Sequence, residues 1–228
     1  MKKLVVLSGA GMSAESGIRT FRESGGLWEE YRVEEVATPE AWYRNPELVL
    51  RFYNERRKQL EGAQPNAGHK GLASLEQDFD VHIITQNIDN LHERAGSTKV
   101  LHLHGELTKA RSSVNPDLVV DIGYGDILPG ERASDGSLLR PHIVWFGEAV
   151  PAMEEAAEVA SKADIFVVIG TSMVVYPAAG LIHYVPETVP VYLIDPNNVS
   201  VPSRHKVEII KEGAGKGVAQ LVERLKGL

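Results

Sequence analysis

Short, continuous apolar runs alternate along this chain with longer stretches whose apolar positions recur every three to four residues. The runs at 4–7, 81–84, 100–103, 143–145, 165–169, 191–194 and 207–210 are mostly β-branched or leucine, the composition of strands buried on both faces of a parallel sheet. Helical spacing predicts helices over 46–60, 68–77, 88–95, 152–161 and 217–225, with Pro46 suited to a first turn and Gly96 to the residue past an end. Strand and helix in alternation predict an α/β fold, a Rossmann-like doubly wound parallel sheet. Two stretches break the rhythm. Residues 19–38 are charged, glycine-bearing and weakly periodic, which predicts a loop able to close over a ligand. In 108–140 the turn signals Asn115-Pro116, Gly123, Gly125, Pro129-Gly130 and Asp135-Gly136 divide the chain into short extended pieces, predicting a second, smaller lobe.

Composition narrows the classes. A chain of 228 residues, 43% of them hydrophobic, can bury a full core. Lys and Arg number 24 against 31 Asp and Glu, net −7, with no clustered basic face, so nucleic acid is not an expected partner. No apolar run reaches the roughly 20 residues of a membrane span, and Met1-Lys2-Lys3 leads directly into a core strand, so a cytoplasmic, membrane-free protein is expected. There is no cysteine, which removes disulfides, thiol nucleophiles and thiolate zinc sites together.

Three short runs carry candidate chemistry. Gly9-Ala10-Gly11-Met12-Ser13-Ala14 follows the first strand and fits G-x-G-x-x-A, where small residues let backbone N–H groups and a helix N-terminus approach a pyrophosphate. A tight glycine turn gives the same pattern, and no acidic residue closes a second strand about 20 residues on, which disfavours a hydride-transferring dehydrogenase. Gln86-Asn87-Ile88-Asp89 offers two amides and a carboxylate, although Asp89 could equally cap the helix that follows. In His102-Leu103-His104-Gly105, strand alternation sends both histidines to the same face, so the residues alone do not choose a base between them. An imidazole with an ordinary pKa of ~6.5 suits proton removal near neutrality. His69, His82, His92, His142, His183 and His205 read as structural.

The longer run from Gly9 to Arg22, with Gly17-Ile18-Arg19-Thr20-Phe21-Arg22 completing it, closely resembles the opening signature of the sirtuins, NAD-dependent protein lysine deacylases. Gln86-Asn87-Ile88-Asp89, Leu103-His104-Gly105-Glu106, the run Arg140 to Glu148 and the run Gly170 to Ala178 resemble further sirtuin motifs in the same order, so the resemblance spans nearly the whole chain. It implies a Rossmann-like lobe built from 1–36, 62–107 and 141–228, a small discontinuous lobe from 37–61 and 108–140, and a cleft between them. NAD, consumed as a cosubstrate, and an acyl-lysine protein substrate would meet there. By resemblance, Gly9, Ala10, Gly11, Ser13, Phe21, Arg22, Gln86, Asn87, Ile88, Asp89, Gly170, Thr171, Ser172, Asp195 and Ala214 bind the cosubstrate. His104 is the general base, with Asn87 beside it in catalysis. Val144, Phe146, Gly147, Glu148, Val174 and Val175 hold the substrate backbone as an added strand. From the residues themselves, Asp195 could be a plain strand-end turn and Gly213-Ala214-Gly215 a plain helix entry.

Tyr53 and Arg56 are three apart, so on a helix they share a face and can jointly bind a carboxylate. With Ala37, this Tyr-x-x-Arg pattern is similar to that of sirtuins removing succinyl, malonyl or glutaryl groups, although an arginine-rich surface helix reads the same way in isolation. Dicarboxylyl recognition is expected, with acetyl-lysine still a substrate. The chain departs from most sirtuins in lacking the two Cys-x-x-Cys pairs that hold zinc. Residues 109–139 offer Asp117, Asp121, Asp126, Glu131 and Asp135 but no histidine, so a zinc-free lobe packed by Leu118-Val119-Val120, Ile122 and Ile127-Leu128 is expected. A monomer is expected. Mono-ADP-ribosyl transfer and non-catalytic NAD sensing are the alternatives.

Overall fold

The computed structural model describes residues 1–19, 30–201 and 204–226. The apolar runs form a six-stranded sheet from β1 (Lys3–Ser8), β2 (Asp80–Thr85), β3 (Val100–His102), β7 (Ile165–Ile169), β8 (Val191–Ile194) and β9 (Val207–Ile210), in the order β3-β2-β1-β7-β8-β9. Every pairing is parallel. Continuous apolarity follows from two covered faces. Leu4 and Val6 pack with Val167, Ile169, Val218 and Leu221 on one side, while Val5 and Leu7 pack with Phe166, Val168, Ala156 and Leu181 on the other. Strand order reverses beside β1, which opens a crevice at the carboxyl ends of β1 and β7.

A second, antiparallel sheet has the order β5-β4-β6, with β4 Gly105–Ser112, β5 Val119–Asp121 and β6 Leu139–Ile143. The run 143–145 therefore does not form a parallel strand: Ile143 ends β6, where it pairs with Gly105. A short apolar run cannot by itself say which sheet it joins. The helix expected over 88–95 shrinks to Leu91–Arg94, because the Ile88 carbonyl accepts from Leu107 N and Asp89 turns its carboxylate onto Leu91 N and the Ser13 hydroxyl. Of the expected loop 19–38, residues 20–29 lie outside the described residues. Beyond them come the short helices Val33–Val36 and Pro39–Arg44, the second begun by Pro39 with Thr38 Oγ1 accepting from Ala41 N.

The 17-residue helix Pro46–Gly62, capped by Asn45, buries Val49, Leu50, Phe52, Tyr53 and Leu60 in a third core with Leu107, Ile127, Leu139 and Trp145. Arg57, fully buried, donates to Leu107 O at 2.6 Å and to Asn54 Oδ1 at 2.6 Å. Asn54 in turn pairs both ways with the backbone of Ile127. In the cysteine-free turn region, the Ser112 hydroxyl donates to Asp135 Oδ2 at 2.7 Å and accepts from Val114 N and Asn115 N. Ser112→Ala leaves those N–H groups without their acceptor and is expected to lower unfolding free energy by about 1–3 kcal/mol. Denaturant melts should show this drop, while EDTA leaves the wild-type curve unchanged; a shift with EDTA would reveal a structural metal. Among the described residues no helix is long and apolar enough to cross a membrane.

Candidate active site

A cavity of about 790 Å³ opens at the carboxyl ends of β1, β2, β7 and β8, a volume in the range of small-molecule and cofactor sites. Its sheet side is lined by Gly9, Ala10, Gly11 and Ser13 after β1, by Gln86, Asn87, Ile88 and Asp89 after β2, by His104 after β3, by Gly170, Thr171 and Ser172 after β7, and by Asp195 after β8. Its opposite wall carries Ala37, Tyr53, Arg56, Val144, Phe146, Gly147, Glu148, Val174 and Val175. Phe21 and Arg22 lie outside the described residues. Ala214 does not line the cavity. It begins the last helix, Ala214–Leu225, where Gly215 N donates to Glu15 and a Cβ on Gly213 would fall 2.5 Å from a Glu15 oxygen. The small residues there make room for that carboxylate.

The glycines after β1 and β7 let two loops cross. A Cβ on Gly9 would lie 2.7 Å from Gly170 O, and one on Gly170, at φ +60°, would lie 2.4 Å from Met12 N. The helix following them is only Gly11–Ala14, and Gly11, Met12 and Ser13 N–H donate to Gly170 O, Gly9 O and Ala10 O. These three N–H groups are thus used within the protein, contrary to the expectation of an open helix N-terminus. The fit to a dinucleotide rests instead on the crevice and its polar side chains: Gln86 Nε2 donates to Thr171 Oγ1 at 3.1 Å, placing an amide and a hydroxyl side by side on the cavity wall.

Behind that wall lies a buried hydrogen-bond network. Ser13 Oγ donates to Asp89 Oδ2 at 2.8 Å and accepts from Asn87 Nδ2 at 3.1 Å. Burial pushes the Asp89 carboxyl up, opposed by its bonds from Leu91 N and Ser13. His69 and His92 stack edge-on at 4.9 Å; burial pushes His69 down to about 4 and His92 well below its usual range. Both are neutral near pH 7, and neither lines the cavity.

The two histidines after β2's neighbour separate clearly. His104 lines the cavity, and its Nδ1 faces the Gln86 carbonyl at 3.0 Å. A carbonyl only accepts, so Nδ1 carries the proton and Nε2 is the basic nitrogen of the neutral ring. Burial lowers the His104 pKa against the opposing pull of that carbonyl. His102 is not on the cavity; it faces Asn87 O and Glu93.

On the opposite wall, Trp145 Nε1 donates to Tyr53 Oη at 3.1 Å. The hydroxyl's own proton has no acceptor among the described residues. Arg56 Nε and Nη1 are buried without a hydrogen-bond partner among the described residues, while Nη2 lies 3.7 Å from Glu55 and the guanidinium stands 4.9 Å over the Phe52 ring. Glu148 lines the cavity, yet its carboxylate is occupied by Arg140 at 2.8 and 3.0 Å and by Trp145 N at 2.8 Å. Burial raises its pKa, but these partners outweigh that and hold it below the usual carboxylate range. Glu148 thus braces the segment whose backbone faces the cleft. The same Arg140 guanidinium lies 3.3 Å over the Trp145 ring. Sequence reasoning gave Trp145 no role, although it sits inside a quoted motif. Asn197, which ends the run 193–197 after a strand, also lines the cavity; Asn198, Val199 and Ser200 line it too and went unnoticed, since loop residues after a strand carry no periodic signal.

A doubly wound parallel sheet, with a nucleotide-sized crevice at its switch point and a histidine and paired amides on its wall, defines a nucleotide-using α/β protein. The Sir2 family matches residues 9–177, and the chain belongs to that family. A Bacteroides thetaiotaomicron NAD-dependent protein deacylase is 56% identical over 230 residues, covering 99% of this chain and 98% of that protein. A Helicobacter pylori NAD-dependent protein deacylase is 49% identical, covering 99% and 98%. Among solved structures, a Sir2 homologue in complex with ADP ribose superposes with a TM-score of 0.90 at 39% identity, covering 99% of this chain and 92% of that one. A Sir2 homologue in complex with NAD superposes at 0.88 and 40% identity, covering 99% and 90%.

Proposed function

We propose that this protein is an NAD-dependent protein-lysine deacylase whose acyl pocket takes dicarboxylyl groups such as succinyl and malonyl, as well as acetyl. Family membership and the deacylase relatives support the reaction class. The observation that carries the acyl reading is the set of unanswered donors on one wall: Arg56 Nε, Arg56 Nη1 and the Tyr53 hydroxyl proton. Leaving buried donors unpaired costs about 1–3 kcal/mol each, and a terminal carboxylate supplies the acceptor oxygens they lack.

NAD, when bound, supplies a ribose carbon that loses nicotinamide and a ribose 2′-hydroxyl that takes up the acyl group. His104 Nε2 accepts the proton of that hydroxyl, its ring held in the required tautomer by the Gln86 carbonyl. Gln86 and Asn87 orient the ribose through their amides, and Asp89 offers its remaining lone pairs to the nicotinamide carboxamide. Gly9, Ala10, Gly11, Ser13, Gly170, Thr171 and Ser172, which line the cavity together, would hold the phosphates, and Asp195 the adenosine end. Val144, Phe146 and Gly147, at the turn after β6, and Val174 and Val175, after β7, line the same cavity, and we assign them to the substrate backbone; Phe146 is 42% and Val174 60% exposed, as apolar flanks of an entering chain would be. The acyl oxygen would replace nicotinamide on the ribose carbon, and one water would be consumed as the lysine–acyl C–N bond breaks, so the products are nicotinamide, acyl-ADP-ribose and free lysine.

The lobe division we favour is 37–61 and 108–140 for the small lobe and 1–36, 62–107 and 141–228 for the Rossmann-like lobe; the third cluster bridges the two, since Val36, Leu91, Leu107, Ile143 and Trp145 pack with the small-lobe residues. We place the protein in the cytoplasm, where NAD and acylated proteins occur together, acting as a monomer without nucleic acid. The test is nicotinamide release with NAD alone, then with matched acetyl-lysine and succinyl-lysine peptides, products weighed by mass spectrometry. Peptide-dependent release with acyl-ADP-ribose is expected. Peptide-independent release, or an ADP-ribose mass added to protein, would replace this reading with NAD hydrolysis or ADP-ribosyl transfer.

A further inference from the structure

We propose that His102, the histidine the reaction does not use, is a positioning residue: a doubly protonated imidazolium that ties the Asn87 carbonyl to the Glu93 carboxylate and so fixes the amide loop beside His104. The proposal rests on the deacylase reading only for what the loop does; the charge state of His102 stands apart from it.

His102 Nδ1 lies 3.1 Å from Asn87 O and Nε2 lies 2.6 Å from Glu93 Oε1. A carbonyl and an ionised carboxylate only accept, and a neutral imidazole has one N–H, so making both bonds at once requires two protons on the ring. Glu93 stays ionised: burial raises its pKa, but His102 and Lys109 bring it below the usual range. For His102, burial opposes the charge, while Glu93, then Glu106 and the Asn87 carbonyl, outweigh it and raise the pKa. The groups around the ring are Glu93, His92 and Asp89 from the loop and helix after β2, and Glu106 and Lys109 from β4, the last two paired at 2.6 Å.

The consequence falls on Asn87. Its N–H donates to Thr85 Oγ1 and its Nδ2 to Ser13 Oγ, and His102 holds its carbonyl. Oδ1 is then its one polar atom without a partner among the described residues, and Asn87 lines the cavity. His102 and His104, two apart in the chain, grip the successive carbonyls Asn87 O and Gln86 O. When pH rises through the raised pKa of His102, one proton leaves, one of the two bonds is lost, and the loop loosens. His104 governs the acid side of the rate profile and His102 the alkaline side.

Two measurements test this. Side-chain ¹⁵N–¹H correlation of the ligand-free protein at pH 7.5 should show His102 with both ring nitrogens protonated and His104 neutral; a neutral His102 overturns the proposal, whatever the enzyme's activity. In kinetics, Glu93→Gln, which keeps volume and an acceptor but removes the charge, should move the alkaline limb of kcat/KM for NAD down by about one pH unit. His102→Gln, which keeps one donor, should lower kcat/KM for NAD by about tenfold to a hundredfold. It should also leave KM for the acyl peptide within about twofold. Adding Glu93→Gln to it should change nothing further. An unmoved alkaline limb in Glu93→Gln, or wild-type kcat/KM for NAD in His102→Gln, would overturn it. Should His102→Gln melt early, Glu93→Gln and the spectrum still decide. A wild-type protein releasing no nicotinamide refutes the deacylase reading instead, and leaves the spectrum as the test of His102.

Discussion

His104→Tyr is expected to abolish peptide-dependent nicotinamide release and deacylation, a loss of at least ~10²–10⁴-fold in kcat, in a protein that still melts cooperatively near the wild-type temperature. The ring lines an open cavity, so the larger side chain has somewhere to go. His104→Asn separates position from basicity: its amide can still donate to the Gln86 carbonyl, but it has no group that takes a proton near pH 7. Equal losses in the two variants assign the effect to the missing base; substantial turnover in either would place the base elsewhere. The pH profile follows from the same geometry. Burial lowers the His104 pKa, so the base is free at neutral pH and the acid limb of the rate appears as pH drops through that lowered value, below about 6.5. Stability has the same sign. His69 and His142, both brought down to about 4 by burial, stay neutral in the folded chain while the unfolded chain takes up protons near 6.5. Their contribution is full above about 6.5 and is lost as pH falls toward 4, which melting temperatures between pH 7 and 4 will show.

The parallel sheet was legible because burial on both faces leaves an apolar run, uninterrupted in β1, β7 and β8; β2 keeps its run around His82, and the edge strand β9 keeps a weaker one around Glu208. The antiparallel sheet was less so: Gly105–Ser112 is half polar, and its register depends on Pro141 and Ile143, about thirty residues away. Turn signals in 108–140 found the small lobe but could not show that Ser112, Asp135 and Ser137 would converge where cysteines are missing, since that contact spans 23 to 25 residues. Asp89 illustrates a different limit. Its position before a helix suggested a cap, its motif suggested a ligand contact, and the structure gives it one bond of the capping kind and one to Ser13. Strand alternation could not choose between the two histidines of His102-Leu103-His104, and the strand ends at His102; the partners in space, Gln86 O for one and Asn87 O with Glu93 for the other, tell them apart.

Arg56→Met is expected to lower kcat/KM for a succinyl-lysine peptide by roughly 10- to 100-fold, the worth of a hydrogen bond to a charged group at about 1.5–3 kcal/mol, while acetyl-lysine turnover changes by no more than about threefold. Its effect on stability should run the other way. Arg56 is 9% exposed, and burial lowers its pKa because nothing inside the protein fully answers the charge. Replacing two unpaired N–H groups with a flexible apolar side chain beside Phe52 should therefore leave the fold as stable or more so. Tyr53→Phe should reduce succinyl turnover less, through one lost neutral donor, yet cost about 1–3 kcal/mol of stability, because the buried Trp145 N–H then has no acceptor. The opposed pair is the discriminating result. An ordinary helix residue loses stability when truncated and changes no substrate ratio; a residue held unsatisfied for a ligand loses the ligand and gains stability. If Arg56→Met lowers acetyl and succinyl turnover equally and also lowers the melting temperature, the Tyr-x-x-Arg face is scaffold and the dicarboxylyl reading fails, with the deacylase reaction itself untouched.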